Sequence, residues 1–279
     1  MAVQILSDLH LEAPKAYDTF EIVPKAPYLA LLGDIGNVAA HKDDLLGFLT
    51  RQLVLVFFVP GNHEAYDSNW PDTLGILRAF QEDVRKDGSV GEFVLLDRIA
   101  FRLPSSNVVM LGCRLFSYVP HESRMAVSFG LNDFYQTSGW DVDAHNDAHR
   151  RELEWLNTQV ADLEDSDVKI MILTHWTPTR DPRSIEPRHF GSPVTSAFST
   201  GLSGEKCFKS DKVKREDGAG LLRLVSNQRG YYFAQSNGFD GEKTIDHEMY
   251  PGQRVPEVAH QGLQKDLTQT EGVILTLGA

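Results

Sequence analysis

Four short, mostly apolar runs, each followed closely by Asp, His or Asn, constrain the fold of this chain more than any other feature. They cover residues 2–6, 28–32, 54–59 and 168–173. Runs of this length predict buried strands, because a helix needs about ten or more residues. The segments that follow them are Ser7-Asp8-Leu9-His10, Gly33-Asp34, Gly61-Asn62-His63-Glu64 and Thr174-His175.

Amphipathic stretches alternate with these runs and predict helices at residues 42–51, 72–86 and 145–163. The last is the clearest, because its leucines and valine recur at steps of three and four residues. Further strands are predicted at residues 92–95, 99–103, 108–112, 221–225, 231–234 and 273–277. The alternation favours an α/β fold with a mostly buried sheet, and the antiparallel pattern over residues 92–112 indicates a mixed sheet.

The chain has no internal repeat and no linker, which predicts a single domain over residues 1–279. Periodicity fails only at about residues 180–220, a segment rich in Pro, Gly, Ser and charged residues. A loop of that length inside a compact domain is either functional or a sign that the sequence itself is altered.

Composition narrows the class of protein. The chain has 27 Lys and Arg against 39 Asp and Glu, a net charge of −12, and no dense basic cluster, which disfavours nucleic-acid binding. Its longest apolar run, residues 53–59, is far shorter than the roughly 20 residues that cross a bilayer, and no signal peptide is visible. With only two cysteines, we expect a cytoplasmic protein in a reducing compartment, not associated with a membrane.

The polar residues after the four strands should converge, because ligands of α/β sheets bind outside the carboxyl ends of strands. Asp8 and His10 are two apart and can point the same way, while Gly33 and Gly61 permit sharp turns. Asp oxygens, imidazole nitrogens and an Asn carbonyl, without thiolates, suit Mn, Fe, Zn or Mg. One Asp can bridge two such ions about 3.5–4 Å apart.

In this order and spacing, Asp8-x-His10, Gly33-Asp34, Gly61-Asn62-His63-Glu64 and Thr174-His175 resemble the calcineurin-like metallophosphoesterase superfamily. The later NQRGYY, residues 227–232, resembles a segment of uncharacterised fungal members. The resemblance implies a β-sandwich of mixed sheets flanked by helices, and hydrolysis of a phosphate ester by a metal-bound hydroxide. It also implies a centre of two divalent metal ions, whose identity among Mn, Fe, Zn and Mg stays open.

The resemblance also implies a role for each matching residue. Asp8 and His10 would bind the first metal, Asp34 would bridge, and Asn62 and His175 would bind the second.

Catalysis would rest on Asp34 and His63. His63 would lie just outside the metals, protonating the leaving oxygen or stabilising the transferring phosphoryl group, while Glu64 would only orient its neighbours.

Other polar residues receive a plainer interpretation. We interpret His41, His121, His145 and His149 as surface or helix histidines. Asp133 and Tyr135 are interpreted as structural, with a cleft-facing position as the alternative.

One motif of the superfamily, Gly-His-x-His, is absent from this sequence. It belongs between Cys207 and Asn227, within the irregular segment. Three explanations stay open: a segment lost by splicing or a mistaken gene model, a lineage with a degraded metal site, or replacement by His189 or His247. The main alternative function is therefore a catalytically impaired binding protein that keeps the phosphoesterase fold. Substrate, monoester or diester preference and oligomeric state are undetermined.

Overall fold

Two mixed sheets form the centre of the protein in this computed structural model, which describes residues 2–52, 55–89, 91–182, 191–210, 213, 224–246 and 274–275. The described strands are β1 (Ala2–Leu6), β2 (Tyr28–Leu32), β3 (Leu55–Val59), β4 (Glu92–Leu95), β5 (Ile99–Arg102), β6 (Val108–Gly112), β7 (Lys169–Leu173), β8 (Leu224–Val225), β9 (Gly230–Tyr231), β10 (Ala234–Gln235), β11 (Thr244–Asp246) and β12 (Ile274–Leu275). The described helices are α1 (Lys42–Arg51), α2 (Trp70–Asp87), α3 (Arg124–Gly130), α4 (Asp133–Gln136), α5 (Val142–Leu163) and α6 (Lys206–Lys209).

The first sheet has the order β11-β1-β2-β3-β4, and only β11 runs antiparallel to its neighbour. The second has the order β5-β6-β7-β12-β8, and only β5 is antiparallel. Short hairpin β9–β10 stands apart from both sheets. All the parallel strands that precede predicted site residues therefore point the same way within their sheet.

Alternate side chains of each strand face opposite sides of the sheet. From β2 and β3, Ala30, Leu32, Phe57 and Val59 face the second sheet, while Leu29, Leu31, Val56 and Phe58 pack against α1 and α2. On the other side, residues of β6 and β7 pack against Leu156 and Val160 of α5. The result is a helix–sheet–sheet–helix sandwich. It confirms the predicted α/β class with mixed sheets flanked by helices.

The stretch at residues 92–112 is antiparallel only in part. Strand β5 pairs antiparallel with β6, but β4 pairs parallel with β3 in the other sheet. The chain crosses between the sheets at Leu96-Asp97-Arg98, where Arg98 has a φ of 58°. The antiparallel prediction was wrong for β4. One face of this strand packs against the second sheet and the other against the helices, and burial of both faces is typical of parallel strands.

One other prediction needs correction. Residues 231–234 form a hairpin rather than one strand, because the chain reverses at Tyr232 and Phe233. His145 and His149 are helix histidines, as interpreted, and both are buried on the inner face of α5. Helix α5 itself is confirmed, and Asp141 caps it by accepting a hydrogen bond from the Ala144 N–H at 2.8 Å.

Part of the predicted irregular segment is ordered. Residues 191–210 contain a 3₁₀ turn, Thr195–Ala197, and the short helix α6. Residues 183–190, 211–212 and 214–220 lie outside the described part of the chain, so the single-domain assignment of residues 1–279 stays a prediction. No helix among the described residues is long and apolar enough to cross a membrane.

Candidate metal centre

Seven predicted site residues lie at one edge of the sandwich, where β1, β2, β3 and β7 end. The first sheet supplies six of them and the second sheet supplies His175. Metal-type ligand atoms of Asp8, His10 and Asp34 lie within 4.8 Å of one another. His175 Nε2 lies 3.6 Å from Asp34 Oδ1 and 3.1 Å from Asn62 Oδ1. The seam between the two sheets thus brings the separate sequence motifs together.

The backbone at this edge is unusual. Asp8, His10 and Asp34 have φ values of 49°, 46° and 53°, in the left-handed region that few residues other than glycine adopt. Cross-strand bonds hold this conformation, because the Asp8 N–H donates to the Gly33 carbonyl at 3.0 Å and the His10 N–H donates to the Asp34 carbonyl at 2.9 Å. Such strain concentrates at functional sites.

Gly61 is needed for close approach rather than for its own φ. A Cβ atom there would overlap the Asp34 carboxylate and would lie 2.7 Å from Cε1 of His175. Gly33 has a φ of 89°, and a Cβ atom on it would overlap the His175 ring. The two glycines let three loops touch around Asp34.

Glu64 connects the loops after β2 and β3 through hydrogen bonds to their backbones. Its buried carboxylate accepts hydrogen bonds from four backbone N–H groups: Gly61 at 2.5 Å, Asp34 at 2.9 Å, Ile35 at 2.8 Å and Gly36 at 3.2 Å. Burial, reinforced by the nearby Asp34 charge, raises the pKa of Glu64 to about 7. The residue therefore shapes the site through the backbone.

His63 is held at both ring nitrogens. Nδ1 lies 2.7 Å from Glu12 Oε1, and Nε2 lies 3.0 Å from the Tyr231 hydroxyl and 3.9 Å from Asp34 Oδ2. Burial opposes protonation of the ring, but the carboxylates of Asp34 and Glu12 outweigh it and raise the pKa of His63 to about 9. His63 is a charged proton donor beside Asp34 at neutral pH.

Asn62 and His175 are oriented by contacts on their far sides. The Asn62 Nδ2 donates to the Tyr66 hydroxyl and to Asp133 Oδ1, both at 3.0 Å, which leaves Oδ1 facing His175. The His175 Nδ1 lies 2.8 Å from the Leu32 carbonyl, so this nitrogen carries a proton and Nε2 is the one that faces the site. Asn62 Oδ1 and His175 Nε2 are therefore 3.1 Å apart, and His175 Nε2 lies 3.6 Å from Asp34 Oδ1.

The residues present fit a divalent cation. Asp34 Oδ2, His10 Nδ1 and Glu12 Oε2 are buried without a hydrogen-bond partner among the described residues. Burial opposes ionisation of Asp34, yet His63, His175 and His10 lower its pKa, so the carboxylate is charged. A buried charged oxygen without a partner is costly unless a cation satisfies it.

A family model described as calcineurin-like phosphoesterase matches residues 1–204. The chain belongs to the calcineurin-like phosphoesterase family. It is thus a hydrolase acting on phosphate esters, in a family that uses divalent metal ions. An uncharacterized protein of Acanthamoeba polyphaga mimivirus, L509, is 25% identical, and the match covers 72% of this chain and 78% of that protein. The phosphopantetheinyl hydrolase PptH of Mycobacterium tuberculosis shares the fold, with a TM-score of 0.55 at 16% identity over 86% of each chain.

Sequence reasoning missed two residues that touch the site of this phosphoesterase. Glu12 lies two residues beyond His10, and this continued alternation was the available signal. Tyr231 belongs to the NQRGYY segment noted in the sequence, but nothing local indicated its contact with His63, which lies 168 residues away along the chain. Asp133, which was interpreted as structural, anchors Asn62 and accepts a 2.6 Å hydrogen bond from Tyr66.

The place of the absent Gly-His-x-His motif can be compared with the end of β8. Strand β8 leads to Asn227, whose carbonyl accepts from the Ser7 N–H at 3.3 Å and whose Nδ2 donates to the Ile5 carbonyl at 2.6 Å. The segment that follows β8 therefore lies against the loop that carries Asp8. His189 and His247, the two candidate replacements, lie outside the described residues, so this explanation stays a hypothesis.

Proposed function

We propose that this phosphoesterase hydrolyses its ester with two divalent metal ions, held by Asp8, His10 and Asp34 on one side and by Asp34, Asn62 and His175 on the other. The observation that carries the proposal is Asp34. Its Oδ2 is buried without a hydrogen-bond partner in the described structure, and its carboxylate lies between the two sets of ligands. When bound, the metals supply Lewis acidity and lower the pKa of water towards neutrality.

His63 is the proposed general acid. Water adds to phosphorus and loses a proton to solvent, and the bond from phosphorus to the ester oxygen breaks. The leaving oxygen takes a proton from His63 Nε2, and solvent then reprotonates His63. Glu12 keeps the imidazolium charged and aims it through Nδ1, 2.7 Å away. Metal ions at Asp34 would offset the carboxylate charge there and lower the pKa of His63, which favours proton release.

The alternative, a binding protein with an impaired centre, has one observation in its favour. Without Gly-His-x-His, each metal has three ligand residues from this chain, with Asp34 counted twice. Three protein ligands can hold one metal with open positions, but two adjacent dications repel each other and need more.

Metal analysis combined with turnover of an aryl phosphate tests the proposal. We expect two metals per chain, and Asp34→Asn should lose metal and reduce turnover by at least about 100-fold, as loss of a bridging ligand implies. Asp141→Asn is the matched control, because Asn also caps a helix and this exposed residue is not among the proposed ligands.

The outcomes separate the two functions. Metal-free protein without turnover, even after dialysis against Mn²⁺ or Zn²⁺, would support the binding protein. A parallel chain with a Gly-His-x-His segment restored between residues 207 and 227 shows whether the missing ligands are responsible, and transcript sequencing across codons 200–230 shows whether such a segment exists.

A further inference from the structure

Hairpin β9–β10 is fixed to the loop that carries Asp8 and His10. The Arg229 N–H donates to the Ser7 carbonyl at 3.1 Å, and its Nη1 donates to the Leu9 carbonyl at 2.8 Å. The same guanidinium lies over the Phe20 ring, 4.7 Å from its centroid. Gly230, at a φ of 77°, then turns the chain towards the site. The hairpin is therefore positioned by the site loop itself.

Three rings form a continuous stack from the metal centre outward. The Tyr231 ring lies parallel to the His10 ring, with centroids 4.0 Å apart and an 11° angle between planes. Phe233 stacks on Tyr231 at 5.3 Å and 14°. The stack begins at a proposed metal ligand and ends in solvent.

The outer end of this stack is open. Phe233 is 79% exposed, and its neighbour Tyr232 is 65% exposed. A single exposed aromatic residue needs no explanation. Here, however, Phe233 stacks on Tyr231, and the Tyr231 hydroxyl lies 3.0 Å from Nε2 of His63, the proposed catalytic acid. A leaving group that receives its proton from Nε2 would therefore lie next to Tyr231, the middle ring of this stack.

We infer that Tyr231 and Phe233 form an aromatic wall that selects phosphate esters with a planar aromatic leaving group. This inference rests on the proposed function, because it assigns the leaving-group side of the same site. Offset stacking on an exposed ring is tolerant of the exact ring system, which suits aryl or nucleoside-like groups alike. Tyr231 holds the Phe233 ring in place, and Phe233 supplies the open ring face on which the leaving group stacks.

Binding of two phosphonates to the Mn²⁺-loaded chain tests the wall without requiring turnover. Calorimetry should show that naphthylmethylphosphonate binds about tenfold more tightly than butylphosphonate, the scale of one stacked ring. Phe233→Ala should remove this preference and leave butylphosphonate binding unchanged. Phe233→Trp should restore it, whereas Phe233→Leu, apolar but unable to stack, should not.

Phe129→Ala is the matched control, because Phe129 is 75% exposed on α3 and has no contact with the hairpin among the described residues. Equal binding of the two phosphonates, unaffected by Phe233→Ala, would overturn the aromatic wall alone. Failure of the Mn²⁺-loaded chain to bind either phosphonate would overturn the proposed function and the wall with it.

Discussion

At the scale of single residues, the contacts of His63, the proposed general acid, favour the protonated form of its ring. Glu12 contacts one ring nitrogen and Tyr231 the other, and the Asp34 carboxylate places a second negative charge near the ring. Each partner comes from a different part of the chain. The motif that contains His63 was evident in the sequence, as was Asp34, but Glu12 and Tyr231 were not, because only the folded chain places them beside His63.

Replacing Glu12 with Gln should therefore weaken catalysis more than substrate binding. The amide keeps the shape of the side chain but no longer stabilises the imidazolium, so kcat should fall by about 10- to 100-fold with little change in KM. Metal content should stay at the wild-type level, which steady-state kinetics and elemental analysis together would show. Loss of metal in this variant would instead make Glu12 a ligand, a role its oxygens allow because they lie within 4.8 Å of His10 and His63.

His145 is a second instructive residue, because it is a buried histidine with no charged partner. Its Nε2 lies 3.1 Å from Ser117 Oγ, and its Nδ1 has no hydrogen-bond partner among the described residues. Burial, with a smaller contribution from His149, lowers the pKa of His145 to about 3. An unfolded chain binds a proton here near pH 6.5, so acid favours unfolding.

The free energy of unfolding should accordingly fall by about 2 kcal/mol between pH 7 and pH 5 because of this one group. The stability is present above pH 6.5 and is lost as the pH falls towards 3. Urea denaturation of His145→Asn should show a smaller difference between pH 7 and pH 5 by that amount. The exposed His121→Asn serves as the control, and an unchanged pH dependence in His145→Asn would contradict the assignment.

At the scale of elements, the local sequence pattern was sufficient to predict helices and strands wherever burial alone decides the structure. The bounds of β1, β2, β4, β6 and α1 agree with the sequence prediction, because apolar runs and helical periodicity are properties of neighbouring residues. The pairing of β4 and the reversal at Tyr232 were missed, since both depend on distant partners. In the loops of the candidate metal centre, the motifs were evident from neighbouring residues, whereas the contacts between the loops depend on distant ones.

Gly61 lets the loop after β3 touch the loop after β2, so Gly61→Ala should separate them. We expect loss of bound metal and a destabilisation of about 2–4 kcal/mol, because the new methyl group overlaps the Asp34 carboxylate and His175. Thermal unfolding and metal analysis measure both effects.

Gly75→Ala in α2 is the matched control. A Cβ atom there meets nothing within 4 Å, so helix propensity should make this variant more stable by about 0.5–1 kcal/mol. If both variants behaved alike, close approach at Gly61 would not be the reason for glycine.

At the scale of the whole molecule, Arg114 joins elements of both halves of the sandwich. Its guanidinium bonds Glu152 of α5 at 2.9 Å and Asp97 of the sheet crossing at 3.0 Å, and it lies over the Trp70 ring of α2. Its carbonyl accepts from the His175 and Trp176 N–H groups, both at 3.1 Å. The network therefore connects the outer helices to the loop that carries a proposed metal ligand.

Arg114→Met should lower the free energy of unfolding by about 3–5 kcal/mol, because it leaves the buried Glu152 carboxylate without its cation. The double variant Arg114→Met with Glu152→Gln should recover part of that loss, since no unpaired charge is then left on Glu152. Denaturation in urea at a fixed pH measures both. Additive losses in the double variant would indicate that packing, not charge, dominates at this position.

The seam between the sheets gives the protein a further property. Three strands of one sheet and one strand of the other each bring a donor to the same small space. A cation bound there would link the two sheets. It would stabilise the folded state, because it binds the assembled edge and not the unfolded chain. A melting curve recorded against increasing metal concentration would then read as a binding isotherm, so occupancy of the centre could be measured before any substrate is known.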